Sequence, residues 1–258
     1  MHRSMISKKE CGQPLKTNRN SKILWLTIFS MLVLIGITRL LTLKHGMVLH
    51  PDEWVFFSSA SSLFKGSAYQ VYKTYPEGAF LLQMPFQMVR QFALQLIHFG
   101  GDVQKSGSHL MGRVSSIVYF SLGAVLGCTF LHLTQKKTLP VVFFAIAMVF
   151  SLFQIEQSRY GTGEAPSFFL VMAILNLLAL YLRRNRFSLL CVAAVLSGML
   201  GAVKYPQLYF VLLHLCAAVL NRRSSRVSLF VTIPAVLGCC FLGFVCFSPS
   251  LLQREFLT

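Results

Sequence analysis

The sequence predicts an all-α polytopic membrane protein, with about seven transmembrane helices and two amphipathic interfacial helices in the first external loop. Three observations predict it. Hydrophobic residues make up 55% of the chain and charged residues 12%, about half the charged share of an average soluble protein. The apolar residues fall into runs long enough for membrane crossing. The basic residues sit in short clusters between those runs, as the positive-inside rule requires. The same clustering explains the net charge of +16 and argues against nucleic acid as a partner. The seven cysteines lie in apolar runs or in the amino-terminal tail, without CxxC or Cys/His ligand spacing, and read as small buried hydrophobes.

Taken in order, residues 1–22 are polar and basic, with Arg3, Lys8, Lys9, Lys16, Arg19 and Lys22. They read as a disordered cytoplasmic tail, and residues 23–258 as one membrane domain. Ile23 to about Leu43 is the first expected span. It is too long for a signal-peptide core and no small-residue cleavage site follows it, so it is expected to stay as a signal anchor. Arg39 near its far end is expected to snorkel.

Two helical patterns follow. In 52–65, Phe56, Phe57, Ala60, Leu63 and Phe64 share one face and serines 58, 59, 61 and 62 fill the other. In 77–99, Gln83, Gln87, Gln91 and Gln95 recur every fourth residue. With Arg90 and His98 they occupy an arc of about 140°. Leu82, Phe86, Val89, Phe92, Leu96 and Phe99 lie opposite, while Phe80, Met84 and Leu94 intrude on the polar arc and Pro85 is a point of kinking or initiation. This pattern describes a helix in the membrane interface. Charge supports the choice. If 77–99 does not span, the remaining spans are about 110–133, 138–154, 164–182, 187–203, 206–221 and 227–247. Lys136-Lys137, Arg183-Arg184/Arg186 and Arg222-Arg223/Arg226 then all share the side of the basic tail.

That topology gathers the carboxylates. Six of the eight acidic residues (Asp52, Glu53, Glu77, Asp102, Glu156 and Glu164) fall on the outer side. The catalytic candidates are Asp52 and Glu53, in His50-Pro51-Asp52-Glu53-Trp54. Asp52 is one of only two aspartates in the chain. The substrate-binding candidates are His50, Tyr75, Arg113, Arg159, Glu164 and Lys204. An acidic pair at a membrane surface suits transfer of a sugar from a lipid phosphate: a carboxylate serves as base for the acceptor hydroxyl, and Arg113, Arg159 or Lys204 supplies charge to the leaving phosphate. Each has a plainer explanation. Pro-Asp-Glu is a good helix start, Arg113 and Lys204 suit snorkelling or topology, and Glu164 suits a helix cap.

These residues carry a resemblance. The chain from about residue 23 resembles the GT-C superfamily of multispanning glycosyltransferases, in particular the branch of protein O-mannosyltransferases and the aminoarabinose transferase of lipid A. His50-Pro51-Asp52-Glu53 resembles the acidic pair that opens that family's first external loop, and Ala60, Leu63 and Gly66 resemble the helix after it. Tyr75-Pro76, Gly112-Arg113-Val114, Ser158-Arg159-Tyr160 through Glu164, Gly198/Gly201/Lys204 and Ser248-Pro249-Ser250 resemble later landmarks in order. The resemblance implies an inverting transferase in the cell membrane, using a polyprenyl-phosphate sugar donor and a lipid, glycan or protein acceptor, with the first-loop Asp as base. No cofactor is expected, although branches of the family differ in their use of a divalent metal. Family members are usually longer, so the chain is expected to be the amino-terminal module: a fragment, a broken gene, or a short member completed by another subunit. The competing classes are a lipid-linked-sugar transporter or flippase and a non-catalytic membrane subunit; the near absence of mid-span charges and of any internal repeat weighs against transport.

Overall fold

The computed structural model describes residues 19–42, 77–96, 103–151, 160–221 and 227–248. Among these residues every regular element is helical. The helices are α1 (Arg19–Thr42), α2 (Gly78–Leu96), α3 (Val103–Gln135), α4 (Leu139–Phe150), α5 (Glu164–Arg184), α6 (Phe187–Val203), α7 (Val211–Leu220) and α8 (Leu229–Cys246). A 3-10 helix, Tyr205–Phe210, leads into α7. Residues 1–18 of the expected basic tail and the helix over 52–65 lie outside the described residues, whereas 19–22, expected to belong to the tail, form the first turn of α1.

Among the described residues, four helices are long and apolar enough to cross a membrane: Lys22–Arg39 of α1, Met111–Gln135 of α3, α5 and α8. The other expected spans are shorter apolar helices, Leu139–Phe150, Phe187–Val203 and Tyr205–Leu220. At 1.5 Å per residue α4 is about 18 Å long, well short of a hydrocarbon core about 30 Å thick. The predicted run 187–203 coincides with α6. The run 110–133 is the middle of a longer helix, α3.

The bundle's exterior is apolar. Trp25, Leu26 and Phe29 on α1 and Phe230, Phe241 and Leu242 on α8 are all more than half exposed. Such a surface suits lipid and not water. Inside, α3 and α5 run in the same direction: Phe120 stacks on Phe168 and Asn176 Nδ2 donates to Leu126 O at 2.8 Å. The closest seam joins α6 and α8. A Cβ added at Gly198 would collide with Cys240 O, and one at Gly243 with Val195 O. Only glycine permits this approach of two backbones. Not every cysteine is a core residue: Cys128 and Cys240 are buried, but Cys216 and Cys246 are exposed.

Two expectations change. Arg39 does not snorkel. It is fully buried and turns into the bundle, donating to Val149 O and Met148 O, both at 3.1 Å, over the Phe120 ring. The last carbonyls of α4 lack helical partners, and a guanidinium satisfies them better than lipid can. The second change concerns α2. Its polar arc faces protein: Gln83, Gln87 and Arg90 are buried, whereas Met88, Val89 and Phe92 are exposed. Leu82 and Phe86, expected on the membrane face, instead pack inward. The amphipathic split is present, but the bundle takes its polar side.

Candidate functional site at one end of the bundle

One end of the bundle is basic. Lys136, Lys137, Arg183, Arg184 and Arg186 are exposed at one end, which α3 and α5 share as their carboxyl-terminal end. The other end holds Glu77, Glu164 and Lys204. Three chain segments meet there. Gly78 opens α2 against the last turn of α6, where an added Cβ would lie 2.7 Å from the Ala202 carbonyl carbon and 2.9 Å from Val203 N. Gly163 lies under the same contact, with the space beside it bounded by Ala79 Cβ and the Val203 side chain. One turn along α2, Gln83 Nε2 donates to Gly161 O at 2.7 Å.

This packing sets the charged groups. Lys204 follows α6 with an extended backbone, and its Nζ reaches both oxygens of Glu164, at 2.7 and 2.8 Å. Glu164 is the first residue of α5, where the helix dipole also favours a carboxylate. Both side chains are more than two-fifths exposed, so the pair is open to solvent and contributes little to stability. Glu77 is buried. Next to Lys204, Tyr205 is exposed at this end of the bundle. Its phenol can donate a hydrogen bond.

The predicted residues divide accordingly. Glu164 and Lys204 come together as a contact pair. Arg113 is buried on α3, two turns before Phe120. The catalytic candidates Asp52 and Glu53, with His50, Tyr75 and Arg159, lie outside the described residues. Among the described residues no group of three or more His, Cys, Asp or Glu side chains is placed to hold a metal. The sequence reading did not single out Gln83, Thr162 or Tyr205 as site residues. The four-residue glutamine spacing and the Gly161-Thr162-Gly163 run were the signals, and the first was read only as amphipathicity. Arranged in this way, the corner can bind an anion through Lys204 and hydrogen-bond a neutral polar group beneath it.

A scan of protein-family models and searches of curated proteins and solved structures found no match to this chain.

Proposed function

We propose that the chain belongs to a membrane glycosyltransferase of the GT-C type, transferring a sugar with inversion from a polyprenyl-phosphate donor to a lipid, glycan or protein acceptor. The reaction takes place at the outer face of the cell membrane, with seven crossings and the amino terminus in the cytoplasm. Asp52 is the general base that takes the acceptor proton, and Glu53 positions the donor or acceptor. Lys204 receives charge from the leaving phosphate, and Glu164 is its counter-ion when no donor is bound. The observation that carries this reading is the Lys204–Glu164 contact at 2.7 Å, with buried Glu77 nearby, at the end opposite the basic helix termini. A cation placed beside carboxylates at a membrane surface suits departure of a phosphate alongside proton abstraction.

The test is Asp52→Asn in the full-length protein, assayed in membranes for transfer from a polyprenyl-phosphate sugar. Asn caps a helix about as well as Asp, so a capping role predicts little change. The base role predicts a turnover loss of the order of 10²–10⁴ at unchanged expression. Transfer at the parent rate would return Asp52 to a helix cap.

A further inference from the structure

Two buried polar atoms close in sequence to the ion pair or to its supporting turn are without partners. Gln83 is fully buried, and its amide is oriented by the bond from Nε2 to Gly161 O. The other amide atom, Oε1, has no hydrogen-bond partner. Thr162 follows Gly161 directly and is 9% exposed, and its Oγ1 is also without a partner. A buried acceptor left unmade costs as much as a lost hydrogen bond, and these two belong to neighbouring groups, since Gln83 is bonded to the carbonyl of the residue before Thr162.

Chemistry narrows the guest. Gln83 Oε1 can only accept, and the Thr162 hydroxyl can donate and accept. A hydroxyl serves both: its proton goes to Gln83 Oε1 and its oxygen takes the Thr162 proton. An ionised phosphate has no proton for Gln83, and an apolar group serves neither. The pair also lies close to the charge site. Thr162 is two residues before Glu164, and Gly163 between them abuts Val203, the neighbour of Lys204.

We propose that Gln83 Oε1 and Thr162 Oγ1 receive one hydroxyl of the donor's sugar, so that this buried pair distinguishes a sugar-bearing lipid phosphate from a bare one. The inference rests on the transferase reading and adds the subsite that recognises the sugar. Its competitor is a single bound water, which would satisfy the same two atoms and confer no preference.

The test uses the full chain in lipid nanodiscs, with two probes: decaprenyl phosphate and decaprenyl phosphate carrying one hexose. The parent is expected to bind the hexosyl lipid about 10-fold more tightly than the bare lipid. Thr162→Val and Gln83→Leu are expected to bring that ratio near unity and leave affinity for the bare lipid within about 2-fold. Thr162→Ser retains the hydroxyl and should retain the ratio, so the Val and Ser variants decide the matter even if Gln83→Leu does not fold. An undiminished preference in folded Thr162→Val means that the pair holds only water, and the proposal fails. A parent with no preference, in which Asp52→Asn still abolishes transfer, overturns the subsite and leaves the transferase reading standing. A parent that binds neither lipid and transfers nothing overturns both.

Discussion

Helix α6 makes two contacts of opposite character. Along its length it meets α8 backbone to backbone, through Gly198 and Gly243, with no charged group involved. Just past its tip, Lys204 meets Glu164 at the start of α5 in an ion pair that stands in solvent, next to the bond from Gln83 of α2 to Gly161 O. The first contact has no spare volume, and the second has unused hydrogen-bonding capacity. A membrane bundle gains little from the hydrophobic effect between its helices, so close packing has to hold them in place. The seam therefore fixes where Lys204 stands, while the tip remains free to exchange partners.

The sharpest way to break this comparison is sidedness, because the outcome is all or none. Tyr205→Cys is expected to react with an impermeant thiol reagent from outside intact cells, and Lys137→Cys only after permeabilisation; both positions are exposed. The reverse pattern would put the ion pair in the cytoplasm and sink the proposed site. Gln83 and Gln87, buried against the bundle, are unsuitable reporters, although their sequence spacing invites their use.

Next in size is the seam. Gly198→Ala forces apart two backbones and is expected to lower stability in detergent by about 1–3 kcal/mol, with transfer falling as Lys204 shifts. Gly238 lies on the same helix, α8, with nothing within 4 Å of an added Cβ. Its change to Ala should be neutral or stabilising by up to about 1 kcal/mol. Equal melting of the two variants would show that the seam is not the fixed part of the molecule.

The tip should behave in the opposite way. Lys204→Gln is expected to reduce transfer by the order of 10² while changing stability by no more than about 1 kcal/mol, as exposed pairs do. A large fall in melting temperature with transfer intact would make the pair a structural strut. The smallest effect is expected of Glu164→Gln, which frees Lys204. Its melting should match the parent within about 1 kcal/mol, and a bare lipid phosphate should bind more tightly. Weaker binding would show that Glu164 does more than neutralise the lysine.

The helices were largely legible in the sequence because composition and charge report on them directly. Residues 187–203 are apolar between basic residues and a lysine, and the helix occupies that run. Length was less legible. Hydropathy marks where a chain is apolar and not where its helix stops, so α3 extends well before the apolar stretch and α4 ends sooner than 154. The pairing of Glu164 with Lys204 could be read only as a shared side, since 40 residues separate them. The inward face of α2 was misread for a physical reason. A periodic pattern distinguishes two faces of a helix but not which one meets protein, and in lipid the polar face turns inward.

Arg39 sets an order of events during synthesis. Its partner Val149 lies 110 residues further along the chain. At about 5–20 residues per second, the first helix waits on the order of 5–20 s before the end of the fourth is made. Throughout that interval the two carbonyls that receive the guanidinium do not yet exist, so the first helix is made well before α4 can satisfy its buried charge.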